Sequence, residues 1–406
     1  MATVARARTA GASLIFLLGA AVFLNYVDRG AIAVGAPLMK GELGLSATTF
    51  GIAVSAFFWV YAPIQLFAGW LCDRFSVYKL MSGGIVLWAG STLLTGFVGG
   101  FFSLLVLRVM LGIGESIFFP GSSKLIARHV PAERRGVANA AVAAGLALGP
   151  AVGTLAGGLM VASFGWRPMF FVFGLVTLIW LAPWQRTVQA LPTTGHFDGG
   201  ARVPVGRLLG KWPLWSMAIV HSLGNYCFYF LLAWLPLFLV QSRGFTITQM
   251  TLLATLGYAV QAICALAYGH FSDRWTRSGR SEATCRRWMM VVSQMVAGAA
   301  VFGLAFAHSA VSIGLLLCLA GAATASLSLN LYAVAQMFAG PRASGTWVGI
   351  QNALGNSSGI LQPIITGIII DHAGYTSAFY VTAAVAAFGA LWWAVAVPKI
   401  EQVELD

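Results

Sequence analysis

The sequence predicts an all-α membrane protein, with twelve transmembrane helices arranged as two pseudo-symmetric bundles of six. Three observations carry that expectation. The first is composition: 59% of the 406 residues are hydrophobic and 9% are charged, too little charge to cover the surface of a water-soluble globule. The second is spacing, since long apolar runs alternate with short loops that hold nearly all the charge. The third is an internal repeat. Gly69-Trp70-Leu71-Cys72-Asp73-Arg74 recurs as Gly269-His270-Phe271-Ser272-Asp273-Arg274, and Asn25-Tyr26 recurs as Asn225-Tyr226, both at an offset of 200 residues. Two matches at one offset, at matching places in the topology, point to duplication. Two such bundles about a pseudo-twofold axis along the membrane normal are a plan that places a site at their interface.

Taken in order, the spans are expected at about 12–38, 48–71, 80–99, 102–127, 136–162, 166–184, 213–240, 248–270, 287–307, 311–339, 344–371 and 376–397. Each is long enough to cross a hydrocarbon layer of about 30 Å as a helix. Arg6 and Arg8 precede the first run, which is too long for a cleaved signal peptide and reads as an uncleaved first span. Trp166, Trp212, Trp275 and Trp288 lie near span ends, where interfacial anchors collect. Residues 185–212, with Pro192, Gly195, Gly199 and Gly200, read as a hydrophilic linker between an N-terminal bundle, 1–184, and a C-terminal bundle, 213–406.

A net charge of +12 would suit nucleic acid, but its distribution suits a membrane. Of the 24 Lys and Arg residues, 19 fall on one face of the alternating loops and three (Lys40, Arg167, Arg243) on the other. That asymmetry predicts both termini and the central linker in the cytoplasm, with the lipid bilayer as a partner and no nucleic acid. The expected setting is a multi-pass protein of a bacterial inner membrane, working as a monomer. Cys72, Cys227, Cys264, Cys285 and Cys318 have no paired or metal-like spacing and read as reduced. No His cluster has ligand spacing, and no phosphate-cradling loop occurs, so neither metal, cofactor nor ATP is expected. No nucleophile–base set lies in the spans, so an enzyme is not expected.

Four formally charged residues lie deep in the spans: Asp28, Arg29, Arg108 and Glu115. A charge at the bilayer centre costs about 2.5–3.5 kcal/mol on insertion scales, so such residues are functional candidates by default. The bland alternative is mutual neutralisation. Against it, apolar residues would stabilise a bundle at least as well as buried ion pairs. Arg108 and Glu115 are seven residues apart and share a helix face, roughly 10 Å apart. Gly112 between them leaves room for a ligand or a partner side chain. Asn25 with Asp28, and Tyr26 with Arg29, also share faces.

At these residues the chain resembles the major facilitator superfamily. Gly69, Asp73, Arg74 and Lys79 match its loop between spans 2 and 3, and 269–280 match the second copy. Within the superfamily it is similar to the anion:cation symporters, through Asn25-Tyr26-Val27-Asp28-Arg29, Tyr61, Arg108, Glu115, Phe119-Pro120, Trp234-Leu235-Pro236, Asn352, Gly355, Asn356, Gly359 and Pro363. The resemblance implies a secondary transporter with the proton as coupling ion and a small organic anion as substrate. It implies proton carriage by Asp28 and Glu115. Two departures, Asn330-Leu331-Tyr332 in the tenth span and the lack of polar residues between Val142 and Thr154, point as much to a smaller or more apolar carboxylate as to a sugar acid.

Charge arithmetic agrees with coupling. The four buried charges sum to zero, a bound monocarboxylate makes the site −1, and one proton restores neutrality. Arg29 is expected to pair the carboxylate through two parallel hydrogen bonds, Tyr26 and Tyr61 to add hydroxyls, and Arg108 to pair with an acid when it is ionised. From the second half, Asn225, Tyr229, Asn330, Gln351, Asn352 and Asn356 are expected to line the substrate's tail. Asp73-Arg74 and Asp273-Arg274 are expected to gate. Two other readings compete: a Spinster-type lysolipid exporter, which shares the Asn-Tyr-x-Asp-Arg pattern, and a facilitator or nutrient sensor without proton coupling.

Overall fold

A computed structural model of the chain describes residues 2–130, 135–191 and 204–404. The elements are α1 (Ala2–Glu42), α2 (Ala47–Arg74), α3 (Val77–Thr95), α4 (Phe101–Ser116), α5 (Phe118–His129), α6 (Arg135–Phe164), α7 (Trp166–Ile179), α8 (Leu181–Ala190), α9 (Val205–Leu209), α10 (Trp212–Leu237), α11 (Ile247–Arg277), α12 (Glu282–Leu304), α13 (Ala310–Gly355) and α14 (Ser358–Val395). Regular structure among the described residues is helical throughout.

Among the described residues, eleven stretches are long and apolar enough to cross a membrane. The last of them, Ala343–Val395, has 53 residues, about 80 Å of helix at 1.5 Å per residue, against a hydrocarbon core of about 30 Å. Gly374, at φ 75°, adopts a left-handed conformation that glycine reaches without strain. It divides the stretch in two. The fourth span is also divided. Pro120 has no N–H to offer Ser116 and its ring crowds that carbonyl, so α4 ends at Ser116 and α5 begins at Phe118, directly beyond Glu115. The sixth span runs on through α8 to Ala190, past the expected start of the linker. Residues 192–203, with Pro192, His196, Gly199 and Gly200, lie outside the described residues.

The chain divides into two compact units, one of Met1–Leu45 with Ala56–Gly199, the other of Ser46–Ser55 with Gly200–Asp406. In the first unit, α6 lies against α1 through glycines spaced by four. A Cβ on Gly145 would lie 2.5 Å from the Gly19 carbonyl oxygen, one on Gly149 2.6 Å from the Tyr26 Cβ, and one on Gly153 2.7 Å from the Val27 Cα. Small residues at this spacing let two helix backbones touch. The stretch without polar residues from Val142 to Thr154 is therefore the face that seats the Gly19–Val27 segment.

In the second unit, Met217, Val220, Met290, Val334, Phe338, Trp347 and Trp393 build a core. The chain end folds back on it, with Val403 N–H donating to the Phe338 carbonyl at 2.8 Å. Asp371, expected at a span end, is exposed. Its carboxylate accepts from the Ala47 and Thr48 N–H groups at 3.0 and 2.7 Å and from the Thr48 hydroxyl at 2.6 Å. It thus caps the free N–H groups of the first turn of α2.

Two of the three basic residues on the charge-poor face hold helix C-termini. Arg167 donates to the carbonyls of Gly96 and Val98 at 2.8 and 3.0 Å, and to Glu42 at 2.7 Å. Arg243 donates to the carbonyls of Ala305 and Ala307, both at 2.7 Å. In each unit one guanidinium satisfies the carbonyls that a helix end leaves open.

Candidate functional site

The close seat of α1 on α6 fixes how the Asn25–Arg29 turn is aimed. Successive helical residues point about 100° apart, so Asp28 and Arg29 leave α1 in different directions. Arg29 goes toward α2 and α4, where its Nε donates to Glu115 Oε2 at 3.0 Å. The pair is nearly dry, with side chains 10% and 0% exposed. Around the Arg29 guanidinium stand three aromatic rings: Tyr61 at 4.7 Å, Tyr26 at 5.1 Å and Phe57 at 5.1 Å from its carbon. Phe57 stacks on Tyr61 at 4.8 Å and its ring also lies 5.2 Å from the Arg108 guanidinium. One phenyl ring thus sits beside both cations. Ring faces attract a guanidinium, and more so out of water.

Gly112 does not open a space for a ligand. A Cβ there would lie 2.3 Å from the Phe57 carbonyl oxygen and 2.9 Å from Val60 Cγ2, so the missing side chain admits the backbone of α2. This crossing sets Phe57 and Tyr61 against Arg29. Phe57 itself was not legible in the sequence, being one of two adjacent phenylalanines in an apolar span.

Asp28 lies elsewhere. Its Oδ2 accepts from the Trp88 indole N–H at 2.6 Å and from the Thr92 hydroxyl at 3.3 Å, both on α3. Trp88 and Thr92 are further residues the sequence reading missed. The signal that could have found them is chemical: a buried acid must have donors, and 100° of helix separates Asp28 from the face of Arg29. Asn25 is 1% exposed, and neither end of its amide has a hydrogen-bond partner among the described residues.

In the second unit four of the expected residues join one network. The Tyr229 hydroxyl donates to Asn356 Oδ1 at 2.5 Å, Asn356 Nδ2 to the Asn352 carbonyl at 2.8 Å, and Asn225 Nδ2 to the Gly355 carbonyl at 3.3 Å. Tyr332, named earlier only as a departure, donates to Asn352 Oδ1 at 2.9 Å. The His221 ring meets Tyr332 edge-on at 5.9 Å.

Two expected residues do not join. Asn330, fully buried, accepts from Arg286 at 2.9 Å and donates to the Ser326 carbonyl and hydroxyl at 3.0 and 3.2 Å. Arg286 is itself held by Glu282 at 2.7 Å. With both ends of its amide engaged, Asn330 ties α12 to α13. Gln351, also fully buried, accepts from the Trp347 indole at 3.3 Å on the side of the apolar core.

Of the expected gating residues, Arg74 is exposed with its guanidinium 5.9 Å from the Trp70 ring, and the Asp73 side chain lies outside the described residues. Asp273 pairs with Arg277 at 3.9 Å, one turn on, both well exposed, and Arg274 is exposed. No group of three or more His, Cys, Asp or Glu residues that could hold a metal occurs among the described residues.

Buried charge enclosed by aromatic rings in a bundle of apolar helices defines an integral membrane protein with a polar site in its interior. The chain belongs to the Major Facilitator Superfamily, whose family model matches residues 18–360 and 244–404. It is 30% identical to a probable sulfoacetate transporter of Cupriavidus necator over 390 residues, 91% of this chain and 90% of that one. It is 27% identical to a hexuronate transporter of Bacillus subtilis over 398 residues, 93% and 92% of the two chains. Its fold matches the crystal structure of a bacterial homolog to the human lysosomal transporter Spinster with a TM-score of 0.80 at 18% identity, covering 96% of this chain and 98% of that one. The family and fold are those of transporters, and the chain is not an enzyme.

Proposed function

We propose that the protein is a proton-coupled symporter that imports a small organic anion by alternating access. The observation that carries this reading is the Arg29–Glu115 pair inside a ring of Tyr26, Phe57 and Tyr61. In a low dielectric a carboxylate without a cation is costly, so a substrate carboxylate can take Arg29 only as Glu115 leaves it. Glu115, displaced and buried, is then stable when it carries a proton. Anion and proton therefore favour each other's binding, which is the linkage a symporter needs. Arg108, beside Phe57, keeps a second positive charge near the anion, and the Tyr26 and Tyr61 hydroxyls add donors.

The relatives named for sulfoacetate and hexuronate support an anionic substrate. The ring of Tyr26, Phe57 and Tyr61 favours a compact carboxylate carrying apolar surface over one hydroxylated at every carbon. Asn225, Tyr229, Asn352 and Asn356, already a network, are assigned to the substrate's uncharged part. Asp73-Arg74 and Asp273-Arg274 are assigned to gating.

The test is uptake of labelled carboxylates by proteoliposomes under an inward proton gradient. Accumulation above equilibrium, abolished by a proton ionophore, is expected for at least one member of a panel of sugar acids, dicarboxylates, sulfonated acids and aromatic acids. Binding without accumulation would instead make the protein a facilitator or sensor.

A further inference from the structure

The span predicted at 344–371 is not one continuous α-helix. α13 ends at Gly355 and α14 begins at Ser358, midway along it. Across this joint the backbone bonds tighten from four residues to three. Ser357 N–H donates to the Leu354 carbonyl at 3.1 Å, Gly359 N–H to that of Asn356 at 2.9 Å and Ile360 N–H to that of Ser357 at 3.0 Å. Such a stretch inside a helix marks a hinge or a strained sequence. A regular helix would take the Gly359 N–H to the Gly355 carbonyl. Here that carbonyl accepts from two side chains, Asn225 Nδ2 at 3.3 Å and Ser358 Oγ at 3.0 Å. One turn on, Pro363 has no N–H to offer the Gly359 carbonyl.

A stripe on α10 fastens the joint. His221, Asn225 and Tyr229 are spaced by four and share a helix face. Asn225 holds the Gly355 carbonyl, and Tyr229 donates to Asn356 Oδ1 at 2.5 Å. A Cβ on Gly355 would overlap Cγ, Nδ1 and Cδ2 of His221, so glycine at 355 seats the imidazole ring. The two arms beyond the joint are anchored separately. The inner arm, 343–355, sends Ala343, Trp347 and Ile350 into the core. The outer arm, 358–373, lies on the first turns of α2, which belong to the same unit. A Cβ on Gly51 would overlap the Pro363 carbonyl, one on Gly367 would lie 2.5 Å from the Ala47 carbonyl oxygen, and Asp371 caps those turns. Around the joint three buried polar atoms make no hydrogen bond among the described residues: His221 Nδ1, Gln351 Nε2 on the inner arm and Gln362 Oε1 on the outer. Buried polar groups are ordinarily paired, so the joint has bonds left to make in a second arrangement.

We propose that Gly355–Ser358 is a hinge on which the outer arm swings against the inner one, held by His221, Asn225 and Tyr229 and released when substrate accepts the Tyr229 O–H. The release step rests on the assignment of Tyr229 to the substrate's uncharged part. Tyr229 has one O–H to give, so a substrate acceptor takes it only from Asn356. Binding and release are then one event, and the ligand shifts the hinge by bonding better to the released arrangement. His221 is a positioning residue, which acts on the substrate through the joint.

Hydrogen exchange of the full-length protein in lipid nanodiscs, read by mass spectrometry on peptides across 343–373, tests the hinge without substrate. Exchange at 357–361 should be faster than in either arm. Tyr229→Phe, which deletes one hydroxyl, should raise it about tenfold there and leave 343–354 unchanged, as loss of one hydrogen bond shifts a local opening. His221→Ala should act likewise, and His221→Phe, which keeps a ring on Gly355, should restore the wild-type rate, a rescue that a general loss of stability would not show. Tyr229→Phe carries the test should His221→Ala not fold. Pro363→Ala, which returns an N–H to the Gly359 carbonyl, should slow exchange at the hinge and lower the uptake rate with substrate affinity kept. Exchange at 357–361 as slow as in the arms, or unmoved by Tyr229→Phe, would overturn the hinge. Glucuronate, succinate, sulfoacetate and benzoate are then added in turn. A transported acid should speed exchange at the hinge in the wild type and not in Tyr229→Phe. A hinge that answers to the variants but to no transported acid stands as a hinge, and overturns both its release by substrate and the assignment of Tyr229.

Discussion

Arg29 concentrates the chemistry of the first unit, because one side chain meets an acid, two phenols and a phenyl ring. Its charge was conspicuous in an apolar span, and so were Asp28, Arg108 and Glu115. Which of them pair was not, because pairing depends on how far α4 is rotated and slid against α1. Arg29→Lys keeps the charge but loses the planar fork. Carboxylate affinity is expected to fall roughly tenfold to a hundredfold, the equivalent of about 1.5–3 kcal/mol for a charge-assisted bond, while the fold persists; a thermal-shift titration with the transported acid measures it. Arg29→Ala differs in kind. It leaves Glu115 buried without its cation, and such losses cost about 3–5 kcal/mol, so Arg29→Ala should lower the melting temperature more than Arg29→Ala/Glu115→Gln does. Asn330 shows the limit of reading amides from sequence. Nothing in its residue type separates an amide that awaits a ligand from one whose partners, Arg286 and Ser326, lie on the same and a neighbouring helix.

The helices were legible in position but not in contact. Apolar length gave the spans, and the turn glycine at 374 and the proline at 120 marked two of the breaks. Gly112 was legible as an opening and is instead a helix crossing, since a glycine is equally suited to admit a ligand or a backbone. Gly112→Val would drive a side chain into the Phe57 carbonyl and Val60. It should destabilise by about 1–3 kcal/mol as an overpacked core does and weaken binding by displacing Phe57 and Tyr61, both readable in one ligand-dependent melting series. The Gly145, Gly149 and Gly153 stripe was visible only as a lack of polar residues, and its meaning came with its neighbour, α1. Arg167 and Arg243, exceptions to the charge asymmetry, are explained by the carbonyls they hold. Arg167→Ala is expected to cost about 1–2 kcal/mol of stability, seen as a lower thermal midpoint with transport retained.

The repeat at an offset of 200 residues places Asn225-Tyr226 where Asn25-Tyr26 stands in the first half, but Cys227 and Phe228 replace the charged pair. The two units accordingly diverge in chemistry: ion pairs and aromatic rings in one, a network of amides and phenols in the other. That asymmetry was legible because deep charges are rare and easily placed. The cap on α2 was not, because Asp371 and Thr48 are 323 residues apart and only the folded chain joins them.

The proposed coupling by exchange at Arg29 separates two activities that a Glu115→Gln protein should show in proteoliposomes. Glutamine is neutral, so the anion can still be exchanged across the membrane, but no proton travels with it. Counterflow of labelled substrate close to the wild-type rate, together with loss of accumulation under an inward proton gradient, is the result predicted. Accumulation by Glu115→Gln equal to that of the wild type would contradict it.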